Sequence, residues 1–165
     1  MPIETTYSRH LADASVEGAI TALAAITANG AALRAFSESA ASAPLADGKW
    51  SRKEILGHLC DSAGNNLQRI VRAQIPAHLT GGVLRGPGYA QEEWIRVQAF
   101  SKLTWTQVME TWVVLNRHLV HVISNVDRGA LQTPIVVGDN APETLEHIIV
   151  DYVAHQLHHL KQIGV

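Results

Sequence analysis

Residues 144–163 read T-L-E-H-I-I-V-D-Y-V-A-H-Q-L-H-H-L-K-Q-I. Apolar side chains recur there every three or four residues, the period of a helix with one face turned inward. Thr144 stands where an N-cap belongs. With His155 at zero and 100° per residue, Ile148 falls at about 20°, His159 at about 40°, Tyr152 at about 60°, and Leu145 and Ile163 near 80°. Two histidines thus share the stripe that faces a core. His147 and His158 fall near 280° and 300°, beside Asp151, and read as flank or surface residues. An i, i+4 histidine pair is a natural two-point clamp for a metal, since both imidazoles leave the helix on one face. Nine histidines in 165 residues would give about half of one such pair by chance. Two core histidines satisfied by hydrogen bonds are an equally open reading of the spacing.

Upstream, three further long helices are predicted. Val16, Ile20, Leu23, Ile26, Leu33 and Phe36 keep helical spacing in an alanine-rich background over 15–40. Ser51-Arg52-Lys53-Glu54 is a capping box that opens a helix over 51–74, stopped by Pro76. Thr104 and Gln107 form a second capping box for a helix over 104–126. A shorter helix is expected over 91–99. Between these lie turn-rich stretches, in which Ile135-Val136-Val137 reads as a packed loop rather than a brief strand. The expected fold is all-α, one four-helix domain spanning residues 1–165. The short first connection makes the first two helices antiparallel neighbours, whereas the long connection after Gln74 can carry the chain back along the bundle.

Composition narrows the functions. Hydrophobic residues make up 47% and charged residues 17%, so the chain can bury a core and is not disordered. A net charge of −2 supplies no field for nucleic acid and no basic anchor for a membrane. The single cysteine cannot form an internal disulfide, which suits a reducing cytoplasm. The opening MPIETTYSRH lacks a signal-peptide layout, and the apolar stretch between Glu17 and Arg34 reads as too rich in Ala, Thr and Gly to span a bilayer.

The second long helix offers a polar face to meet the histidine pair. Taking His58 as zero, Glu54, Asp61, Ser62, Asn65 and Arg69 lie within about 60° of it, with Leu56, Leu59, Leu67 and Ile70 opposite. That face is either solvated or one wall of a polar cleft, with His58 reaching a metal and Asp61 or Asn65 behind it. Cys60 points about 200° away and reads as core. His118 and His121 have no acid nearby and read as surface. Gly81 to Gly86 begins like a phosphate loop, but Pro87 stands where its lysine must be. No G-x-S-x-G elbow is present. Trp50, Trp94, Trp105 and Trp112 read as packing anchors.

Trp50-Ser51, Glu54, Gly57-His58-Leu59, Asp61-Ser62, Asn65 and Arg69, followed by Asp151-Tyr152-Val153-Ala154-His155 and His158-His159-Leu160, resemble the DinB superfamily, in particular its YfiT-like branch of bacillithiol transferases and metal-dependent hydrolases. The resemblance implies an up-down-down-up four-helix bundle, frequent dimers, and a divalent metal, nickel or zinc, held by His58, His155 and His159. Many members carry Asp where this chain has Gln156. The topology agrees with helix arithmetic. His58 lies roughly 10 Å into its helix and the histidine pair roughly 6–12 Å from the end of theirs, so the levels match only if the two helices run antiparallel.

The expected activity follows from that site. Three neutral imidazoles leave a divalent cation's charge uncompensated and a coordination position open, where a thiol or water loses its proton near neutral pH. The resemblance to bacillithiol transferases favours the thiol, and the reading it implies is S-transfer from a low-molecular-weight thiol. Asp61 is expected to orient the site, and Asn65 and Arg69 to grip a polar or carboxylate part of a small-molecule substrate. A hydrolase using water, or a non-catalytic, stress-related metal-binding bundle closed by a fourth ligand such as Asp61, are the alternatives. The expected assembly is a homodimer.

Overall fold

A computed structural model describes residues 6–28 and 30–165; residues 1–5 of the opening stretch and Asn29 of the apolar stretch lie outside the described residues. Among the described residues the α-helices are α1 (Val16–Ala28), α2 (Ala31–Arg34), α3 (Glu38–Ser42), α4 (Arg52–Ala73), α5 (Gln91–Gln98), α6 (Trp105–Ser124) and α7 (Leu145–Ile163). Three short strands, β1 (Leu84–Gly86), β2 (Pro134–Val137) and β3 (Glu143–Thr144), complete the regular elements.

Local chemistry sets the ends of the long helices. Ser51 accepts from the Glu54 amide while the Glu54 carboxylate takes the Ser51 N–H, and Thr104 and Gln107 repeat the exchange at α6. Thr144 accepts from the His147 amide and starts α7, which Gly164 ends in the left-handed region at φ 102°. The helix expected over 15–40 is divided instead. Trp105 Nε1 donates to the Leu33 carbonyl, taking up an acceptor that a continuing helix would use, and Ser37 adopts an extended backbone to cap α3.

Two clusters of buried side chains reveal how the helices run. One gathers Val16 and Leu23 of α1, Ile70 and Ala73 from the end of α4, Leu119 and Ile123 from the end of α6, and Leu145 and Ile149 from the start of α7. The other gathers Leu33, Ile55 and Leu56 from the start of α4, Trp105 and Val108 from the start of α6, and Leu160 and Ile163 from the end of α7. Since α4 and α6 end where α1 and α7 begin, the order is up-down-down-up. Arg52 Nε on the Ile163 carbonyl and Gln156 Nε2 on the Leu59 carbonyl are the contacts of an antiparallel α4–α7 pair. Cys60 against the Val108 carbonyl and Gln74 against the Asp127 amide are those of a parallel α4–α6 pair.

By length and composition Val16–Arg34 is apolar enough to cross a membrane, with a mean hydropathy of 1.3, more than its Ala, Thr and Gly content suggested. Its Val16, Ala19, Leu23 and Leu33 are buried within the two clusters. The segment read as a packed loop is a strand. β2 pairs in parallel with β1, Leu84 opposite Ile135, and antiparallel with β3. Its partner lies in the Gly/Pro-rich crossover, about fifty positions earlier, so no local pattern announced the pairing. The small sheet ties the crossover loop to the start of α7, which fixes α7 against α4.

Candidate metal centre

His58 enters from α4, and His155 and His159 from successive turns of α7. The His58 and His155 Nε2 atoms are 3.2 Å apart. Ring centroids lie 5.1 Å apart for His58 and His155, 5.0 Å for His58 and His159, and 4.5 Å for His155 and His159. One ring nitrogen from each falls within 4.8 Å of the others. Among the described residues no thiol or carboxylate joins this group. His58 is buried at 1% exposure, whereas the other two rings are partly covered.

Burial holds these rings neutral. It drives His58 down to about 4, with His159 as a second cause, and His155 down to about 3, with its histidine neighbours adding to the effect. His159 is lowered by burial too, against an opposing hydrogen bond. That bond runs from His159 Nδ1 to Gln162 Oε1 at 2.8 Å, so Nε2 keeps its lone pair. Ser62 Oγ lies 3.4 Å from His155 Nδ1. His58 Nδ1 is buried with no hydrogen-bond partner among the described residues. Three unprotonated imidazoles converging on one point, one of them with an orphaned nitrogen, form a donor set that fits a borderline divalent cation.

Beside the rings opens a polar cleft of about 300 Å³, lined by Ser62, Asn66 and Arg69 of α4, Tyr89, and Asp151 and His155 of α7. Tyr7 stands edge-on to His155 at 5.1 Å, and the Trp50 ring lies 5.5 Å from His58. Of Asp61, expected to orient the site, and Asn65 and Arg69, expected to grip the substrate, the fold brings Arg69 to the cleft. Asp61 and Asn65 do not line it. Asp61 is buried and accepts from Gln98 of α5, with burial raising its carboxyl above the usual range and that bond opposing. Asn65 donates to the Asp61 carbonyl one turn back.

The wheel explains this division. Asp61 at about −60° and Glu54 at about −40° fall toward α5, while Ser62 at about 40° and Asn66 at about 80° fall toward α7 and the cleft. Asn66 lies just outside a 60° window centred on His58, which is why the sequence reading missed it. Tyr7 and Tyr89 come from irregular segments and carry no periodic signal.

Several other expectations resolve here. Gln156 is fully buried and points into the core, accepting from Trp112 Nε1 at 2.8 Å. Cys60 is buried with its thiol pushed up to about 12, chiefly by burial, so it stays protonated. His118 and His121 are exposed. His158 is half-buried rather than a surface residue, because the N-terminal segment packs on that flank and sets His10 Nε2 at 3.1 Å from its Nδ1. Trp105 and Trp112 are core anchors, but Trp94 is 41% exposed.

A family model described as the DinB superfamily matches residues 12–163. The chain belongs to the DinB superfamily. Among curated proteins none matches it. Among solved structures, this DinB-superfamily chain is similar to YfiT from Bacillus subtilis, with a TM-score of 0.74 over 90% of this chain and 85% of that one, at 16% identity. That protein is described as a probable metal-dependent hydrolase with an unusual four-helix bundle topology. At this identity the likeness speaks for the fold, and the up-down-down-up order read from the clusters is independent of it.

Proposed function

We propose that this DinB-superfamily protein is a metal-dependent enzyme that activates a low-molecular-weight thiol for S-transfer to a small electrophile. One observation carries the reading: three imidazoles kept neutral by burial converge on one point, and one of them, His155, lines an open polar cleft. The residues fit nickel or zinc, and a divalent ion held there would act as a Lewis acid that eases loss of a proton from a thiol or water beside it. His58, His155 and His159 would hold the ion, and Gln162 keeps His159 in the tautomer that offers Nε2. Tyr7 and Trp50 wall the rings and limit water. Asp61 is a positioning residue that fastens α5 beside the site through Gln98. Arg69 faces the substrate. Asn65 supports Asp61 from the following turn.

A hydrolase using water at the same centre is the second reading, favoured by the description of YfiT. A closed metal-binding bundle is less well supported, because Asp61 is engaged by Gln98 rather than supplying a fourth donor. The net charge of −2 favours a small-molecule partner over nucleic acid or a membrane surface, and we take the working form to be a cytoplasmic homodimer. Incubating the metal-loaded protein with thiols and electrophiles, and separately with ester and amide panels, tests the proposal. Thiol-dependent consumption of the electrophile is expected. Hydrolysis without any thiol effect would replace S-transfer by the second reading.

A further inference from the structure

An exposed apolar surface stands beside the metal centre, on the outer side of α5. Trp94 and Val97 are 41% and 70% exposed there, and with Glu93 and Gln98 they line a groove of about 320 Å³. Glu93 is paired with Arg96 and Gln98 with Asp61, so what the groove offers a ligand is mainly carbon. An aromatic ring and a branched side chain turned together to water mark a binding surface, because covering them is favourable.

The groove is continuous with the metal centre. The Tyr89 ring lies 4.9 Å from the Trp94 ring and 6.5 Å from the His58 ring, and Tyr89 lines the polar cleft. Gln91, which also lines the cleft, stands one turn before Trp94 on α5. From the other end, Gln98 lines the groove and donates to Asp61, three residues after His58. One ring, Tyr89, therefore separates a polar chamber from an apolar one.

That division suits a reaction with two unlike substrates, which must meet at one point. Resting on the S-transfer reading above, we propose that the groove seats the electrophile, and that the electrophile carries an aromatic body. The body stacks on Trp94 against Val97, and its reactive carbon reaches past Tyr89 toward the three histidines. For an arylmethyl halide the step balances: the sulfur–carbon bond forms as the carbon–halogen bond breaks, the halide leaves with the bonding pair, and the thiol proton passes to water.

Two measurements on the purified protein test this. The first is calorimetric binding of 2-naphthalenemethanol, an unreactive two-ring alcohol. Trp94→Ala should weaken its binding about tenfold, the scale of a lost aromatic pair, whereas Trp94→Phe should retain most of it and Val97→Ser should fall between. Metal content should be the same in all three variants. The second is turnover of 2-(chloromethyl)naphthalene and of chloroacetamide with cysteine as the thiol, each relative to its uncatalysed rate. The wild type should favour the naphthyl chloride about tenfold in kcat/KM, and Trp94→Ala should abolish that preference. Equal binding of the alcohol by the wild type and Trp94→Ala, or a preference that survives in Trp94→Ala, would overturn the proposal. So would a wild-type dimer that Trp94→Ala converts to monomer in sedimentation, since the groove would then belong to a second copy of the chain. Trp94-dependent binding of the alcohol with no thiol-dependent turnover of either chloride would overturn S-transfer while the aromatic site stands.

Discussion

At the scale of single residues, the centre depends on three imidazoles that are neutral before any ion arrives. Burial supplies that state, and it has a cost that pH exposes. In the metal-free protein His58 and His155 titrate at about 4 and about 3, against 6.5 in an unfolded chain. Between pH 6.5 and 4 the unfolded chain takes up protons that the folded chain refuses, so stability is full above that window and falls with falling pH. Urea denaturation of the metal-free protein at pH 7, 5.5 and 4.5 should show midpoints declining in that order; a flat series would contradict the neutral rings. His159 depends on Gln162 for its tautomer, so Gln162→Ala should weaken metal affinity by about tenfold with the fold intact, as read by competition with a chelator. The convergence of the histidines was legible because side chains fixed on helices obey a wheel. The rim of Tyr7 and Tyr89 was not, because their placement depends on loops and on packing between distant segments.

At the scale of elements, α4 must lie close to the turn that follows α5. A Cβ on Gly57 would sit 2.5 Å from the Phe100 ring, so Gly57 lets that ring close over α4 one residue before His58. Gly57→Ala should cost about 1–3 kcal/mol in denaturant unfolding and reduce metal affinity, as the ring forces α4 aside. Gln156 makes the complementary case. Its amide joins α7 to Trp112 of α6 and to the Leu59 carbonyl of α4. Gln156→Leu should destabilise the protein by about 1–3 kcal/mol, because it strands the buried Trp112 Nε1–H, yet leave metal stoichiometry unchanged. A loss of metal at unchanged stability would instead tie Gln156 to the site. The capping boxes of α4 and α6 were readable because both partners lie within four residues. The break between α2 and α3 was not, since Trp105, which takes the Leu33 carbonyl at the end of α2, is 72 positions away.

For the whole molecule, the up-down-down-up order is what allows one site to form. Only an antiparallel α4–α7 pair puts His58 level with His155 and His159, and the long crossover together with the β1–β2 pairing delivers it. The sequence carried this order indirectly, through the matching depths of the histidines in their helices; the sheet that pins it was hidden in a glycine-rich loop. Holding two helices together through one ion should also stabilise the entire domain. At about a thousandfold excess of metal over its dissociation constant the gain is about 4 kcal/mol, readable as a higher Tm in the metal-loaded protein than in the stripped one. The most direct measurement is the metal content of the purified protein and of His58→Ala, His155→Ala and His159→Ala, each checked for helicity. One divalent ion per wild-type chain, lost from all three variants while the helices remain, is the predicted result; an ion retained at full stoichiometry in all three would contradict the shared centre.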